Sequence, residues 1–240
     1  MKFLYIIHAY NEMDFLPAKV KWCRENGLGM YVLDNYSNDG TWEYLEKHNI
    51  PRERINTNGM FHLMMLQKAT NNAIYRINPD WVCYVGMDTF VCTKGTLREE
   101  VAKCHGDILQ GPWINVFNTG EVRGNPFQTY FYYSQIRTPI GLIFKYNRKA
   151  RLFADEVKYK GAKVVRLDGV YVNFGNVKPA CQRDDTLKRR QKAWTKGKLS
   201  KAMGTHYPVY KKVNWLWKKA TLKDVRTSPY KNLYKKLWSL

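Results

Sequence analysis

Residues 30–41 read MYVLDNYSNDGT, and this stretch decides the predicted fold. Its first four residues are apolar, which is typical of a short buried strand. Polar residues 34–39 and a turn glycine follow, and residues 41–48 have the spacing of a helix. A buried strand, a polar turn and a helix in this order predict one βα unit of an α/β fold.

The same order of elements recurs along the first half of the chain. We predict strands over 2–7, 30–33 and 81–85 and helices over 14–26, 41–48 and 60–77. This alternation predicts a mainly parallel sheet flanked by helices. Polar clusters follow the three strands, at residues 8–12, 34–40 and 86–89. Because ligands bind beyond the carboxyl ends of parallel strands, these clusters are predicted to form one ligand site.

The second half of the chain changes in character. Residues 106–140 are rich in aromatic side chains, Gly, Asn and Pro, and we predict strands and loops there, with further strands over 163–167 and 170–174. Beyond residue 179 the sequence is basic and its apolar residues have helical spacing. We therefore predict an α/β domain over residues 1–178 and a basic, aromatic-rich helical extension over 179–240.

The charge of the chain is concentrated in its second half. The protein has 40 Lys and Arg against 20 Asp and Glu, a net charge of +20. Residues 1–140 hold 14 basic and 14 acidic side chains, whereas residues 141–240 hold 26 basic and 6 acidic ones. Such an excess indicates a polyanionic partner, and nucleic acid, anionic lipid and acidic glycans are the candidates.

Composition argues against several classes of protein. A hydrophobic fraction of 45% is enough for a folded core. No run approaches the ~18 apolar residues of a membrane-spanning helix, and the apolar run 3–7 is too short for a signal peptide. The five cysteines lack CxxC spacing, which argues against zinc and against a disulfide framework. We therefore expect reduced thiols and a cytoplasmic location, with peripheral membrane association as an alternative.

Two motifs in the predicted ligand site carry a resemblance to a known family. Asp34–Thr41 alone is compatible with simple helix capping. Together with the sequence AYNE at Ala9–Glu12, however, it resembles the GT-A glycosyltransferases of the family 2 type. Their first strand ends in Ala-Tyr-Asn-Glu and their second in Asp-Asn/Asp-x-Ser-x-Asp-Gly-Thr. The resemblance covers roughly residues 1–120, and further positions that match are Gln67, Ala69, Asn72 and Trp81.

The resemblance implies a hexosyltransferase that uses a nucleotide-sugar donor, with UDP as the expected nucleotide. Asp34 would accept a hydrogen bond from the base, and Ala9 and Tyr10 would border the nucleoside. It also divides the domain into a donor-binding half over 1–105 and an acceptor half over 106–178. The expected donor-binding residues are Ala9, Tyr10, Asn11, Glu12, Asp34, Asn35, Ser37, Asp39, Gln67, Lys68 and Asp88.

The resemblance further implies a divalent cation, Mn²⁺ or Mg²⁺, between the protein and the donor diphosphate. Asp88 takes the place of the second acid of the metal-binding Asp-x-Asp, and Asn173 takes the place of a later His ligand. Gly86 stands where the first Asp is expected, and Thr89 replaces a common Glu. We therefore expect a weakly held ion or, as alternatives, neutralisation by Lys and Arg or an inactive relative.

An inverting transferase also needs a carboxylate base near the acceptor hydroxyl. Glu121 and Asp168 are the candidates that we favour, and Asp155 and Glu156 are further ones. A retaining mechanism needs no such base and stays open.

Two acceptors suit the basic extension. The first is a hydroxymethylated pyrimidine of phage-type DNA, flipped out of the duplex. The second is an envelope polysaccharide or lipopolysaccharide at an anionic membrane surface, where a basic residue is worth ~1 kcal/mol. The size of the charge favours DNA, and a non-catalytic nucleic-acid-binding protein is a third hypothesis. The expected polyanion contacts are Lys178, Arg183, Lys188, Arg189, Arg190 and Lys192.

Overall fold

A computed structural model gives the fold of the chain. It describes residues 1–58, 60–117, 132–153, 156–174, 223–224 and 229–240. For residues 117, 132–140, 223–224 and 238 it describes the backbone only. No helix in these described segments is long and apolar enough to cross a membrane.

A mixed sheet of ten strands forms the centre of the molecule. Its main path has the order β3-β2-β1-β4-β7-β6-β11-β5, with β10 added on β6 and β12 on β7. A separate hairpin is formed by β8 and β9. The strands are β1 (Phe3–Ala9), β2 (Gly29–Asp34), β3 (Arg52–Arg54), β4 (Trp81–Cys83), β5 (Thr89–Thr93), β6 (Ile108–Phe117), β7 (Tyr132–Lys145), β8 (Arg151–Phe153), β9 (Glu156–Lys158), β10 (Val164–Arg166), β11 (Gly169–Asn173) and β12 (Lys223–Asp224).

Helices flank this sheet. They are α1 (Leu16–Glu25), α2 (Thr41–Lys47), α3 (Leu63–Ile77), α4 (Leu97–Ala102) and α5 (Lys231–Lys235), followed by a 3-10 turn over Lys236–Ser239. The apolar face of α1 is buried, and α4 begins at a capping box in which Thr96 and Glu99 each accept a backbone amide of the other. The strand β1 is almost wholly buried, as its apolar run predicts.

The predicted α/β class, a central sheet flanked by helices, is confirmed. The six predicted elements of residues 2–85 are all present with small shifts at their ends. The sheet is mixed rather than mainly parallel, because β7 runs antiparallel to both β4 and β6 and β5 runs antiparallel to β11. The strands β3, β2, β1 and β4 do form a parallel block, so the carboxyl ends of β1, β2 and β4 lie at one edge.

The end of the chain packs on this domain. Tyr234 and Leu237 are buried, and the Tyr234 ring stacks on Phe174 with 6.2 Å between the ring centroids. This last segment of the predicted extension contains one short helix and a 3-10 turn, and its two buried side chains join the domain core. The rest of the predicted extension, apart from β12, and the domain boundary at 178 lie outside the described residues.

Candidate donor-binding site

Three neighbouring strands place Ala9, Asp34 and Arg54 side by side. Ala9 pairs with Asp34 across β1 and β2, and Asp34 pairs with Arg54 across β2 and β3. All three residues are the last of their strands, so they lie at the carboxyl edge of the parallel block. The register of the sheet thus brings the two family motifs together and adds Arg54, which sequence reasoning missed.

Asp34 is the most deeply buried acid described in this part of the molecule, with no exposed surface. Its Oδ2 accepts hydrogen bonds from the Arg54 guanidinium and from the Ser37 amide, the latter at 3.1 Å. Its Oδ1 is buried and accepts no hydrogen bond from the described residues. A buried carboxylate oxygen normally has a donor, so Asp34 Oδ1 is suited to accept one from a ligand.

Aromatic rings fix the position of Arg54. Its guanidinium lies 4.0 Å from the centroid of the Trp42 ring and 5.1 Å from that of Tyr36. Trp42 also faces Arg52, at 4.6 Å. Stacking on these faces leaves the edge of the guanidinium free to meet Asp34, so the ion pair is held from two directions.

The loops after β1 and β2 are tied together by hydrogen bonds. The Asn11 amide donates to Ser37 Oγ at 2.9 Å, and the Asn38 amide donates to Asn11 Oδ1 at 2.9 Å. Asn11 has a positive φ of 54°, a conformation that asparagine adopts more readily than most residues. Tyr10, Asn11 and Glu12 are partly exposed beside this junction.

Asp39 completes the same junction. Its two oxygens accept from the Met13 and Thr41 amides, each at 3.0 Å, and Thr41 Oγ1 accepts from the Glu12 amide at 3.0 Å. The carboxylate of Asp39 therefore accepts hydrogen bonds from backbone amides of both loops. Of the two motif aspartates, Asp34 has the oxygen available to a ligand and Asp39 holds the loops in place.

Asn35 connects the motif to the segment before α3. Its side-chain amide donates to Thr57 Oγ1 at 2.9 Å, and its Oδ1 accepts from the Thr57 amide at 3.3 Å. Asn35 and Thr57 are both buried. Gln67 is buried on α3, whereas the neighbouring Lys68 is exposed. Asn35 thus has a structural role, and Thr57 is a supporting residue that sequence reasoning missed.

Asp88 and Asn173 are brought together, as the resemblance implied. Thr89 pairs with Asn173 across β5 and β11, and Thr89 Oγ1 lies 3.3 Å from Asp88 Oδ1 and 3.4 Å from Asn173 Oδ1. The Phe174 amide donates to the Asp88 carbonyl at 2.8 Å. Asn173 also donates to Asn115 Oδ1 at 2.9 Å. One carboxylate, one hydroxyl and two amide side chains therefore converge where β4 passes into β5.

Gly86 has a steric role in this cluster. A Cβ at position 86 would lie 2.6 Å from Asp88 Oδ1 and 3.3 Å from Thr89 Oγ1. The Asp88 carboxylate thus occupies the space that a side chain at 86 would need. With Asp88 in this conformation, only glycine fits at position 86 without a shift of the Asp88 carboxylate.

The oxygen set at Asp88 suits a cation shared with a phosphate ligand. Mg²⁺ is usually bound by one or two carboxylates together with substrate phosphates, and the Asp88 cluster supplies one carboxylate and neighbouring neutral oxygens. Among the described residues no group of three or more His, Cys, Asp or Glu side chains could hold a metal alone. The expectation of a weak site therefore stands as a prediction.

Asp168 is not brought to this cluster. It precedes Gly169, which pairs with Thr93 at the far end of β11 from Asn173, and it forms an exposed ion pair with Lys94 at 2.9 Å. The five residues of β11 put Asp168 roughly 16 Å from Asn173. Glu156 is exposed on β9 and pairs with Lys158.

Several predicted site residues lie outside the described segments. They are the base candidates Glu121 and Asp155 and the polyanion contacts Lys178, Arg183, Lys188, Arg189, Arg190 and Lys192.

Comparison with solved structures gives likenesses of fold at low identity. S. aureus TarS 1-349 is similar over 78% of this chain and 63% of its own, at 16% identity and a TM-score of 0.48. The same protein in complex with UDP-GlcNAc is similar over 55% of this chain and 39% of its own, at 21% identity and a TM-score of 0.39. HddC from Yersinia pseudotuberculosis, complexed with GMP-PN, is similar over 80% of this chain and 98% of its own, at 12% identity and a TM-score of 0.42.

The chain spans less than two thirds of the length of these TarS chains. No protein-family model and no curated protein matches it.

Proposed function

We propose that the protein is a glycosyltransferase that takes its sugar from a nucleoside-diphosphate donor. The observation that carries this proposal is the buried Asp34 carboxylate at the carboxyl edge of β2. One of its oxygens is held by Arg54 and by the Ser37 amide, and the other accepts no hydrogen bond from the described residues. A nucleobase with an N–H group is the ligand that this oxygen fits.

The proposed contact selects among bases. Uracil and guanine carry a ring N–H that can donate to Asp34 Oδ1, whereas the ring N3 of cytosine is an acceptor and would face the carboxylate lone pairs. With cytosine, the buried Asp34 Oδ1 would receive no hydrogen bond from the ring, and an unsatisfied buried acceptor lowers the affinity for a ligand strongly. We therefore propose UDP as the donor nucleotide, with GDP as the closest competitor in chemistry.

The diphosphate of the donor is proposed to lie at Asp88. Asp88 and Asn173 are held within reach of each other by Thr89, in the next loop along the same edge of the sheet. A divalent cation bound there would offset the charge that develops on the leaving diphosphate. The residues of the chain hold and orient this end of the donor.

In an inverting transfer, the oxygen of the acceptor hydroxyl forms a bond to C1 of the sugar. The bond between C1 and the diphosphate oxygen breaks, and the diphosphate leaves with the bonding electrons. The hydroxyl proton passes to a carboxylate. Glu121 is our proposed base, and the position of Asp168 at the far end of β11 from Asn173 supports this choice.

We propose a polyanionic acceptor because of the excess of 20 positive charges after residue 140. Part of this excess is described: a surface hollow of about 580 Å³ is lined by Lys149, Arg151, Lys158 and Lys160. The hollow follows β7, whose last residue pairs with Trp81 at the amino end of β4. These four basic side chains form a described part of the positive surface that we propose for the acceptor.

Among polyanions we favour DNA that carries hydroxymethylated pyrimidines. Tracking a phosphate backbone uses many cations spread over a long surface, whereas membrane attachment needs only one or two basic patches. An envelope glycan at an anionic membrane is the second candidate acceptor. The same positive charge would attract the protein to anionic lipid.

The donor experiment measures the rise in melting temperature with UDP, GDP and CDP, each with and without Mn²⁺. A ligand at 100 times its Kd stabilises the folded state by ~2.7 kcal/mol, which shifts the melting temperature by several degrees. We expect a shift with UDP and none with CDP. Equal shifts, or no shift with any nucleotide, would contradict the proposal and favour a non-catalytic basic protein.

The acceptor experiment compares duplex DNA in an electrophoretic shift assay with flotation on anionic vesicles. Transfer of radiolabelled sugar from UDP donors to hydroxymethylcytosine DNA is then measured against unmodified DNA of the same sequence. We expect DNA binding and transfer only to the modified duplex. Binding to vesicles alone would replace DNA by a membrane-associated glycan as the acceptor.

A further inference from the structure

Lys19 is a lysine of α1 with no exposed surface. Its ammonium donates a hydrogen bond to the backbone carbonyl of Thr89. It also faces three aromatic rings, with Nζ 3.9 Å from the centroid of Phe90, 4.8 Å from that of Trp22 and 5.2 Å from that of Tyr5. The charge of Lys19 therefore lies directly beneath the turn that carries Asp88.

Packing alone does not account for a lysine at this position. Burying an ammonium is unfavourable unless a carboxylate partner or several hydrogen bonds compensate for the lost water. Among the described residues Lys19 makes no ion pair, and its described hydrogen bond is the one to Thr89. An apolar side chain would fill the same space between three rings without this unfavourable term.

The contacts of Lys19 all lead to the donor-phosphate end of the site. Thr89 is the residue whose hydroxyl lies between Asp88 and Asn173, and its amide donates to the Gly86 carbonyl at 3.0 Å. The ammonium thus acts on the same residue from the opposite, buried side. The electrostatic interaction of Lys19 with Asp88 is favourable, because Asp88 stabilises the charged form of the lysine.

We propose that Lys19 is a positioning residue for the donor diphosphate. Its ammonium holds the carbonyl of Thr89, fixes the turn at residues 86–89, and puts a buried positive charge behind the single carboxylate of this cluster. That charge supplies part of the positive potential that a tightly held cation would otherwise provide to the diphosphate. The inference rests on the proposed function, since it assumes that the diphosphate lies at Asp88.

The test is Lys19→Met, which keeps the length of the side chain and removes the charge and the donor. Lys21→Met is the matched control, because Lys21 is exposed on the same helix. Amide hydrogen exchange is measured at Thr89 and Phe174, whose amides donate to Gly86 and Asp88. Affinities for UDP with Mn²⁺ and for uridine are measured by calorimetry.

In Lys19→Met we expect faster exchange at both amides, an unchanged or higher melting temperature, and unchanged uridine affinity. UDP affinity should fall roughly tenfold, the effect of losing one hydrogen bond to a charged group. Lys21→Met should match the wild type in all four measurements. Unchanged exchange at Thr89 and Phe174 would overturn the inference, and so would equal losses of uridine and UDP affinity.

The two proposals fail in different ways. If the wild-type protein binds neither UDP nor uridine, the proposed function is wrong, and the exchange rates alone still decide whether Lys19 fixes the turn. If UDP binds and the exchange rates do not change in the variant, the proposed function stands and the role of Lys19 is wrong. A fall in melting temperature with faster exchange throughout the chain would show a general structural role and would also overturn the inference.

Discussion

At the scale of single residues, Asp34 shows how the site depends on three strands. It lies between β1 and β3 in the sheet, its side chain is buried, and Arg54 forms an ion pair with it from β3. The guanidinium in turn rests on Trp42 of α2. The carboxylate is therefore held rigidly, which is what recognition of one edge of a base requires.

Asp34→Asn is expected to reduce UDP affinity on the order of a hundredfold, because the charge-assisted hydrogen bond to the base is lost. Arg54 also loses its partner, so the free energy of unfolding should fall by about 1–3 kcal/mol. Calorimetry with UDP and urea denaturation measure the two effects. Glu43→Gln, a change at an exposed acid of α2, is the control, and its UDP affinity should stay within a few-fold of the wild type. Full UDP affinity in Asp34→Asn would contradict the assignment of Asp34.

Gly86→Ala tests the space beside Asp88. The added Cβ would lie 2.6 Å from Asp88 Oδ1, so the carboxylate must move. We expect weaker Mn²⁺-dependent binding of UDP with little change in melting temperature. Gly29→Ala is the matched control, since its Cβ would meet only the Phe3 carbonyl oxygen at 3.7 Å, an ordinary contact. Equal Mn²⁺ dependence in the two variants would rule out a role for the Asp88 conformation.

Burial also affects the titration of Lys19. Loss of hydration lowers the pKa of Lys19 from 10.5 to about 8, opposed by the charges of Cys23, Cys83, Asp88 and Cys92. Burial raises the pKa of Cys83 and of Cys92 to about 12, so these thiols are neutral near pH 7. Burial likewise raises the pKa of the Cys23 thiol well above its ordinary value.

This shift predicts a pH dependence of stability with a definite sign. Because the folded-state pKa is lowered, the unfolded chain binds more protons between pH 8 and 10.5, and the contribution of Lys19 to stability rises over that range. The free energy of unfolding of the wild type, relative to Lys19→Met, should rise by about 1 kcal/mol from pH 7 to pH 9. Urea denaturation at both pH values measures it. A difference that does not change with pH would mean that Lys19 has an ordinary pKa.

At the scale of elements, α5 links the last residues of the chain to the site. Its Tyr234 stacks on Phe174, the residue after β11, and the Phe174 amide holds the Asp88 carbonyl. The Lys236 ammonium donates to the Lys94 carbonyl just after β5. This short helix and the 3-10 turn after it therefore contact the ends of the two strands, β11 and β5, that bring Thr89 and Asn173 together.

Tyr234→Ala is expected to lower the free energy of unfolding by about 3 kcal/mol, as for other large-to-small changes in a core. Because Phe174 loses its stacking partner, amide exchange at Phe174 should also increase. Asn232→Ala, an exposed change on the same helix, should stay within about 0.5 kcal/mol. Urea denaturation distinguishes them, and equal stability of the two variants would mean that α5 does not belong to the core.

At the scale of the whole molecule, charge divides the chain into two parts. The residues of the proposed donor site lie in the first 117 residues and in β11, within or beside the half without net charge, and the positive excess follows residue 140. Donor and acceptor binding should therefore respond differently to salt. Phosphate contacts release counterions from DNA, whereas a hydrogen bond at buried Asp34 is little affected by screening.

DNA affinity is expected to fall steeply with salt, with log K linear in log[KCl] and a slope of about −0.9 for each phosphate contacted. UDP affinity should change far less over the same range. Fluorescence anisotropy with a labelled duplex measures the salt dependence of DNA affinity. Calorimetry measures that of UDP affinity, and both cover about 50 to 200 mM KCl. A flat dependence for DNA would contradict backbone binding by the basic half.

The elements that the sequence predicts correctly are those set by local hydrophobic pattern. The buried runs of β1, β2 and β4 and the apolar spacing of α1 and α3 are local properties, and these elements are where they were predicted. The strand β5 was not predicted, because it is short (Thr89–Thr93) and begins directly after a polar turn. The antiparallel direction of β7 was not predicted either, since the pairing of distant strands leaves no periodic signal within either strand.

The sequence by itself determined the α/β class and the three loops that follow β1, β2 and β4, because these depend on periodicity. The roles of Asp34 and Asp88 are predictions from motifs of neighbouring residues. Only the tertiary structure decided that Arg54 holds Asp34 and that Thr89 joins Asp88 to Asn173. It also decided that Asp168 lies at the far end of β11 and that Lys19 is buried against the turn that carries Asp88. The physical reason is strand register, which sets residues far apart in the chain opposite one another and cannot be read from either segment alone.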